Sequence, residues 1–296
     1  MSIGVIGAGK WGVALQFALS QKQRCYITSR HKRDIENFVS LDEMLDLEYL
    51  VITIPAQEIG VWLRENFVFK GQKILVASKG IEAKSGRFLN EIYDEFVPSQ
   101  NIAFLSGPSF AAEVMDSLPT ALVVNSENEA VAKEFASFFP SFIKTYTSRD
   151  VIGAEIAGAY KNVIAIAAGI CEGLSLGKNA SAALISRGLV EMHRFGVSYG
   201  ADDESFLGLS GAGDLFLTAS STMSRNFRVG LGLAEGKSKE TIIKELGEVA
   251  EGIGTAYALN KIAKKRSLYL PIATEVYAIL EGKDPKESLW TLLSRN

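Results

Sequence analysis

The sequence contains few of the residues that form disulfides or bind metal ions. Among its 296 residues are only two cysteines, Cys25 and Cys171, and two histidines, His31 and His193. Two distant cysteines make no disulfide framework, and neither pair has the spacing of a metal motif. We therefore expect a chain with no metal site that resides in a reducing compartment.

The sequence also lacks a strong excess of charge and a long apolar run. Its 31 basic and 34 acidic residues give a formal net charge of −3, so no attraction to nucleic acid is expected. The opening residues, MSIGVIGAGKWG, carry no positive charge before a short apolar run, unlike a secretory signal. The uncharged run 162–171 is far shorter than the roughly 20 residues of a membrane span. We expect a cytoplasmic protein without stable membrane insertion.

Short β-rich runs alternate with helical runs in the first half of the sequence. The candidate strands are residues 2–7, 25–29, 49–55, 73–78, 102–106, 120–125 and 142–147. Several are almost continuous valine, isoleucine and leucine, as in strands that are covered on both faces. Helical segments lie between them, among them 13–21, 86–96 and 129–139. This alternation predicts an α/β fold with a Rossmann-like, doubly wound, mainly parallel sheet.

The second half of the sequence is different in character. After about Asp150 the strand signals end, and the remainder consists of helical segments with glycine-bearing connections. We therefore predict an N-terminal domain at residues 1–149 and an all-α C-terminal domain at 150–296. No Pro- or Ser-rich linker separates them, which favours two domains packed around a shared cleft.

A glycine-rich motif, GAGKWG, lies between the first strand and the first helix. Its glycines are Gly7, Gly9 and Gly12. In a G-x-G-x-x-G motif the first glycine makes a tight turn and the second admits a pyrophosphate close to the backbone. The third lets the helix pack closely on the strand. Free N–H groups at the helix N-terminus then hold the phosphates. The N-terminal domain is thus predicted to bind a dinucleotide.

The end of the second strand indicates which dinucleotide is preferred. An NAD-specific site places an acidic residue about 20 residues after the glycines, where it binds the ribose hydroxyls. Here Arg30 lies 18 residues after Gly12 and is followed by His31, Lys32 and Arg33. A basic cluster suits the 2′-phosphate of NADP, so we favour NADPH over NADH. The alternative is a charged, solvated strand end.

Four further stretches place polar side chains beside small residues: SKGIE, SGPSFAAEV, LSGAGDLFLT and STMSRNFRVG. SKGIE follows the fourth strand, at the edge of an α/β sheet where ligands bind. The last stretch offers a set of hydrogen-bond donors suited to a phosphate. Each stretch alone is also compatible with an ordinary turn, a helix cap or a surface lysine. The candidate ligand-binding residues are Lys79, Gly107, Ser109, Asp214, Ser224, Arg225 and Asn226.

One lysine lies within an almost wholly aliphatic helix, EIAGAYKNVIAIAAG, followed directly by Asn162. Burial disfavours the ammonium form of Lys161, and a second cation such as Lys79 nearby would disfavour it further, so both would lower its pKa. Such an amine can exchange protons with an alcohol near neutral pH. The alternative is a lysine whose amine reaches the surface. His193 is the competing candidate, because histidine is a common general acid or base, but Glu191 and Arg194 beside it suggest an ordinary helix surface.

The motifs together resemble a known family, the bacterial-type NAD(P)-dependent glycerol-3-phosphate dehydrogenases. The resemblance covers nearly the whole chain in the order and spacing of the family. The matching segments are GAGKWG, SKGIE, SGPSFAAEV, AYKNVIAIAAG, LSGAGDL, SRN and VAEGIGTA. It implies interconversion of dihydroxyacetone phosphate and sn-glycerol 3-phosphate with NAD(P)H, for phospholipid synthesis. It also implies a homodimer.

The resemblance assigns roles to individual residues. It implies that Lys161 is the catalytic proton acceptor. It implies that the substrate is bound by Lys79, Gly107, Ser109, Asn162, Asp214, Ser224, Arg225 and Asn226. We expect the cofactor to be bound by Gly7, Gly9, Lys10, Trp11, Gly12, Arg30, His31, Arg33, Lys79, Ala111, Arg225, Val249 and Glu251.

Two other functions are compatible with a two-domain dinucleotide-binding chain. One is a related NAD(P)-dependent dehydrogenase acting on another hydroxy acid. The other is a dinucleotide-sensing protein without turnover. The combination of Lys79, Lys161 and Asp214 favours a catalyst, and the SRN triplet favours a phosphorylated triose.

Overall fold

Residues 2–293, which the computed structural model describes, form one seven-stranded sheet followed by a set of helices. The strands are β1 (Ser2–Ile6), β2 (Arg24–Thr28), β3 (Tyr49–Ile52), β4 (Lys73–Val76), β5 (Ile102–Ser106), β6 (Thr120–Asn125) and β7 (Ile143–Ser148). Their spatial order is β2-β1-β3-β4-β5-β6-β7, with β1 to β5 parallel and with β6 and β7 in the opposite direction. The predicted Rossmann-like, mainly parallel sheet is confirmed.

Helices cover both faces of this sheet. They are α1 (Lys10–Ser20), α2 (Leu41–Leu45), α3 (Ile59–Asn66), α4 (Leu89–Tyr93), α5 (Ala111–Met115) and α6 (Glu129–Ser137), with a 3₁₀ turn at Ser99–Asn101. The helix predicted at 86–96 is shorter in the structure. Gly86 has a φ of +79°, which a helix does not allow, and the Glu91 side chain accepts a hydrogen bond from the N–H of Phe88. Helix α4 therefore begins at Leu89.

The crevice where a dinucleotide would bind follows from the strand order. Val5 of β1 pairs with Ile27 of β2 on one side and with Val51 of β3 on the other. The chain thus reverses its direction of travel across the sheet at β1. In open α/β sheets, ligands bind outside the carboxyl ends of the strands at such a reversal. GAGKWG lies at this point, directly after β1.

From residue 151 to residue 293 the described chain is helical, which confirms the predicted all-α C-terminal part. Its helices are α7 (Val151–Gly173), α8 (Gly177–Val197), α9 (Asp203–Leu207), α10 (Asp214–Ala219), α11 (Arg225–Ala234), α12 (Lys239–Leu246), α13 (Glu251–Arg266), α14 (Pro271–Leu280) and α15 (Pro285–Leu293). A π-helical turn at Leu209–Gly213 joins α9 to α10. The Asp150 side chain caps α7 by accepting a hydrogen bond from the N–H of Gly153 at 2.8 Å. The domain boundary at 149/150 stays a prediction, although β7 ends and α7 begins beside it.

Helix α7 forms the centre of the helical part. It is long and apolar enough to cross a membrane by length and composition, but 94% of its most apolar window is buried inside the protein. Its backbone contacts that of α11, because a Cβ on Gly169 would lie 2.0 Å from the carbonyl oxygen of Phe227. A Cβ on Gly230 would lie 2.1 Å from that of Ile166. These glycines fix the start of α11, with its SRN triplet, close to the middle of α7.

A buried carboxylate holds α7 against two neighbouring helices. Glu191 of α8 accepts a hydrogen bond from the hydroxyl of Tyr160 at 2.7 Å. It also accepts the N–H groups of Ile272 and Ala273, at 2.9 and 3.0 Å, where α14 begins. These donors satisfy a carboxyl group that burial would otherwise make costly. Glu191 therefore fixes the helix turn that precedes Lys161.

Candidate active site

Two lysines share one buried carboxylate between the sheet and the helices. Lys161 donates to Asp214 Oδ1 at 2.6 Å and Lys79 to Asp214 Oδ2 at 2.5 Å, while only 2% of the Asp214 side chain is exposed. Lys161 comes from the middle of α7, Asp214 from the first residue of α10, and Lys79 from the segment after β4. Thr218, one turn after Asp214, accepts a second hydrogen bond from Lys161 at 2.7 Å. The amine of Lys161 therefore points into the protein and does not reach the surface.

The surroundings of Lys161 set its pKa. Burial lowers it, and the attraction of Asp214 raises it, while repulsion from Lys79 and Arg225 lowers it further. The result is a pKa of about 8, compared with 10.5 for an ordinary lysine. Burial by itself would raise the pKa of Asp214, but its attraction to Lys161 and Lys79 is stronger and lowers it. The cluster thus holds a permanent anion beside an amine that exchanges its proton near neutral pH.

Two glycines make room for the side chain of Lys79. The lysine stem lies along α7 at Gly158, where a Cβ would be 3.3 Å from both Cγ and Cδ of Lys79. The Lys79 amine also donates to the carbonyl oxygen of Gly107 at 3.2 Å. Gly107 has a φ of +107°, and a Cβ there would lie 2.9 Å from the carbonyl oxygen of Ala121. Only glycine readily adopts this backbone conformation, which directs the carbonyl oxygen of Gly107 toward Lys79.

The K-N pair and the SRN triplet are joined by their asparagines. Asn226 donates to the side-chain oxygen of Asn162 at 2.9 Å and accepts the N–H of Gly252 at 2.9 Å. The Ser224 hydroxyl caps α11 by accepting the N–H of Phe227 at 3.2 Å. The structure thus links α7, α11 and the start of α13 beside Lys161. The Ser109 hydroxyl donates to the carbonyl oxygen of Gly107 at 3.4 Å, next to this group.

The GAGKWG loop has the geometry expected of a phosphate-binding turn. Gly7 has a φ of +111°, and a Cβ on Gly12 would lie 1.8 Å from the carbonyl oxygen of Gly7. By contrast, no heavy atom of the described residues, chain neighbours aside, lies within 4 Å of the position that a Cβ on Gly9 would take. The backbone is therefore tightly packed between Gly7 and Gly12, whereas the space beside Gly9 can admit a ligand. The Trp11 indole donates to the carbonyl oxygen of Ala77 at 3.1 Å and so ties the loop to the Lys79 segment.

Glu248 connects the glycine-rich loop with the SRN triplet. It pairs with Lys10 at 2.6 Å and lies 3.6 Å from Arg225, whose side chain is 42% exposed. The hydrogen bond from Lys10 lowers the pKa of Glu248 despite its partial burial. Lys10 and Arg225 thus both lie at the mouth of the cleft, where a phosphate could replace the carboxylate.

Glu251 is a buried carboxyl group with one unused oxygen. Its Oε1 accepts the N–H of Ala56 at 3.1 Å, while Oε2 is buried without a hydrogen-bond partner among residues 2–293. Burial raises the pKa of Glu251 to about 7. Val249, two residues earlier, is exposed. Ala111, half-buried, is the first residue of α5 and packs on the core of the sheet.

The remaining predicted contacts lie at the surface. Arg30 pairs with Glu58 at 3.0 Å, and the side chains of His31 and Arg33 are exposed beside it. His193 lies on α8, where it pairs with Asp203 at 2.6 Å and packs edge-to-face on Phe206. The structure therefore gives His193 partners outside the lysine cluster.

Comparison with known proteins identifies the family. The profile of the NAD-dependent glycerol-3-phosphate dehydrogenase N-terminus matches residues 31–132, and that of the C-terminus matches residues 150–291. A glycerol-3-phosphate dehydrogenase [NAD(P)+] of Sulfurimonas denitrificans is 75% identical over 292 residues, 99% of each chain. The chain belongs to the NAD-dependent glycerol-3-phosphate dehydrogenase family.

Further relatives support the same conclusion. A glycerol-3-phosphate dehydrogenase [NAD(P)+] of Campylobacter jejuni is 60% identical over the full length of both chains. The crystal structure of glycerol-3-phosphate dehydrogenase from Coxiella burnetii is 32% identical, covers 99% of both chains and superposes with a TM-score of 0.89. These findings confirm the family, the oxidoreductase class and the nicotinamide cofactor predicted from the motifs.

The residues present fit the nicotinamide dinucleotide that glycerol-3-phosphate dehydrogenases use. The bare backbone at Gly9 leaves space for a pyrophosphate at the N-terminus of α1. The unpaired, buried Oε2 of Glu251 could accept a hydrogen bond from a bound cofactor. No group of three or more His, Cys, Asp or Glu side chains within residues 2–293 could hold a metal ion.

Our interpretation of the sequence missed two residues of this site. Thr218 bonds to both Lys161 and Asp214. Its spacing of four residues from Asp214 in a helix was the available signal, because such residues share one helix face. Glu248 bridges Lys10 and Arg225 across the cleft, and no sequence pattern of its own points to that contact.

The buried cluster predicts an unequal effect of two Asp-to-Asn substitutions. Asp214→Asn should lower the free energy of unfolding by about 3–5 kcal/mol, because it leaves buried ammonium groups without an anion. Asp46→Asn, which removes an exposed pair with Lys70, should cost no more than about 1 kcal/mol. Urea denaturation measures both.

The cost of Asp214→Asn should also decrease as the pH rises from 6 to 9, because Lys161 then loses its proton in the folded protein. Equal losses of stability in the two variants would contradict a buried, charge-sharing Asp214.

Proposed function

We propose that the chain interconverts dihydroxyacetone phosphate and sn-glycerol 3-phosphate and that Lys161 carries the proton. The observation that supports this most strongly is the buried amine of Lys161, held at 2.6 Å from Asp214 with a pKa of about 8. When bound, NAD(P) supplies the acceptor or donor of the C2 hydride. The product sn-glycerol 3-phosphate would serve phospholipid synthesis.

In the oxidising direction the neutral amine of Lys161 accepts the proton of the C2 hydroxyl, and C2 loses hydride. The electron pair of the broken O–H bond forms the second C–O bond of the carbonyl, and the proton is now on Lys161. The hydride would pass to the bound dinucleotide. In the reducing direction the Lys161 ammonium returns a proton to the carbonyl oxygen as C2 gains hydride. Asp214 favours the ammonium form of Lys161 in either direction. Two hydrogen bonds, to Asp214 and to Thr218, fix the orientation of the amine.

The neighbouring cations give the site its affinity for a phosphate ester. Lys79 lies within the cluster, and Arg225 lies at the start of α11, where the helix N-terminus also favours an anion. We assign the substrate phosphate to Arg225, Asn226 and Ser224, and the substrate oxygens to Lys79, Asn162, Gly107 and Ser109. A guanidinium beside backbone and amide N–H groups suits a phosphate more than a simple carboxylate. This favours the triose phosphate over another hydroxy acid.

For the cofactor we propose that the GAGKWG loop holds the pyrophosphate and that Arg30, with His31 and Arg33, holds the adenosine end. Ala111, Val249 and Glu251 would contact the remainder. We further propose that the enzyme is cytoplasmic and that it is a homodimer, the latter as the resemblance implies. The domain division at 149/150 would place the cofactor on one side of the cleft and the proton-transferring lysine on the other.

Substitution of the proton carrier tests the function. Lys161→Ala should lower kcat by about 10²–10⁴-fold with dihydroxyacetone phosphate as substrate, because general acid–base catalysis supplies a factor of this size. The fold should persist, since Asp214 keeps its bond to Lys79. Lys178→Ala, at an exposed lysine, is the matched control and should leave turnover unchanged. Near-normal turnover of a folded Lys161→Ala enzyme would end the assignment.

The pKa of Lys161 predicts opposite pH profiles for the two directions. Oxidation of sn-glycerol 3-phosphate requires the amine, so its kcat should rise with pH and level off above about 8. Reduction of dihydroxyacetone phosphate requires the ammonium, so its kcat should fall above about 8. Initial rates at the nicotinamide absorbance band measure both. Profiles of the same sign in both directions would exclude Lys161 as the titrating group.

The basic strand end predicts the cofactor preference. Arg30→Ala should raise the KM for NADPH by about tenfold or more, since it removes a charge-assisted contact to the 2′-phosphate. The KM for NADH should change little. Lys22→Ala, at an exposed lysine bonded to the backbone of Ser137, serves as the control. An equal increase in the KM for NADPH and for NADH would mean that Arg30 does not contact the 2′-phosphate.

A further inference from the structure

A chain of buried hydrogen bonds joins the ends of β5 and β6 to the turn that precedes Asp214. The Asn125 amide donates to Ser106 Oγ at 2.8 Å, and Ser106 Oγ lies 2.7 Å from Ser210 Oγ. All three side chains are buried, with 1%, 2% and 4% of their surface exposed, respectively. Ser106 Oγ also lies 3.5 Å from the carbonyl oxygen of Val123, so either serine hydroxyl can be the donor in the Ser106–Ser210 bond. The substrate and cofactor assignments above use none of these three residues.

Ser210 belongs to the π-helical turn Leu209–Gly213, which leads directly into Asp214. Such turns are rare and concentrate at functional sites, because they shift the register of the following residues. The turn is tightly confined on its other side: a Cβ on Gly211 would lie 2.3 Å from the carbonyl oxygen of Phe206. The Ser106–Ser210 bond is thus a side-chain tether between this turn and the sheet.

The tether begins at the strand end that also positions Lys79. Ser106 is the last residue of β5, and the next residue, Gly107, accepts a hydrogen bond from the Lys79 amine at 3.2 Å. Asn125, the last residue of β6, also donates to the carbonyl oxygen of Phe104 at 3.0 Å, which holds β6 against β5. The end of β5 therefore contacts the Lys79 amine through Gly107 and the turn that precedes Asp214 through Ser106.

We propose that Ser210, with Ser106 and Asn125, is a positioning residue that sets the depth at which Asp214 lies between Lys79 and Lys161. This rests on the proposed function, in which Lys161 transfers the proton. The charged groups that act on Lys161 are Asp214, Lys79 and Arg225, from three different elements. Of these only Asp214 favours the ammonium form, so its placement controls the reactivity of the amine.

Loss of the tether should therefore change the chemistry more than the binding of substrate. In Ser210→Ala, Asp214 is held less firmly, and we expect kcat to fall about tenfold or more, since small misplacements in a site reduce rates strongly. The KM for dihydroxyacetone phosphate should change by less than about threefold, because Arg225, Asn226 and Ser224 remain in place. Burial still lowers the pKa of Lys161, but the opposing attraction of Asp214 weakens. The midpoint of the pH profile for oxidation should move to lower pH.

Ser126→Ala is a matched control. Ser126 is also buried and donates a hydrogen bond of 2.7 Å to the carbonyl oxygen of Ile102, at the opposite end of β5. It also accepts the N–H of Asn128 at 3.2 Å, so it too links two parts of the fold, away from Asp214. It should lower the thermal midpoint to an extent comparable with Ser210→Ala but should not move the midpoint of the pH profile. Ser106→Ala removes the same tether from the sheet side and replaces Ser210→Ala if that variant does not fold.

The double variant, Ser106→Ala with Ser210→Ala, shows whether the two hydroxyls act through their shared bond. The decrease in its kcat and the shift of its pH midpoint should equal those of either single variant and should not be the sum of the two effects. If Ser210→Ala lowers the thermal midpoint alone, as Ser126→Ala does, the positioning role is overturned and the tether is merely structural. Lys161→Ala, measured alongside, separates the two failures: if it retains turnover, the proposed function is wrong.

Discussion

The arrangement of this site depends on one carboxylate that is shared by two ammonium groups away from water. Asp214 could not remain ionised there alone, and neither lysine could be buried at so little cost without it. The three side chains come from different parts of the chain: Lys161 from α7, Lys79 from the segment after β4, and Asp214 from α10. The ion cluster therefore joins the sheet to the helices, and the catalytic geometry exists only when both halves are in contact.

The reactivity of Lys161 is a balance between burial and charge. Each pKa unit represents about 1.4 kcal/mol of preference between ammonium and amine. Burial and the nearby cations favour the amine, while Asp214 favours the ammonium, and the result is a pKa of about 8. A closer anion would raise the pKa of Lys161, and removal of the anion would lower it. Because both states must be accessible in a reversible dehydrogenase, the position of a single carboxylate determines the useful pH range.

Much of this could be predicted from the sequence, because the relevant signals are local. Seven strands followed from runs of β-branched residues, and the phosphate loop from three glycines at fixed spacing. Lys161 was recognisable because a lysine in an aliphatic helix needs a partner. Helix α4 was predicted too long, since nothing local reveals that Gly86 takes a positive φ.

Contacts between segments distant in sequence were not predictable. Thr218 acquires its role only when α10 packs against α7, and the Ser106–Ser210 bond forms only when the π-helical turn meets the sheet. Glu248 acquires its role only when the segment before α13 meets the glycine-rich loop and the start of α11. The resemblance to a family assigned ligand contacts, but it did not reveal how the protein holds these residues. The hydrogen bonds that orient catalytic groups use common residues such as serine and threonine, which have no distinctive pattern in one sequence.

Gly158 shows how a position without a side chain can affect the reaction. The stem of Lys79 runs across α7 at this residue, and a Cβ at Gly158, 3.3 Å from Cγ and Cδ of Lys79, would shift that stem by a few tenths of an ångström. The shift would change the separation of the Lys79 and Lys161 charges, and hence the proton affinity of Lys161, although Gly158 itself touches neither reacting group. The tolerance of this enzyme to mutation should therefore be lowest not only at its reactive side chains but also where the main chain serves as a spacer.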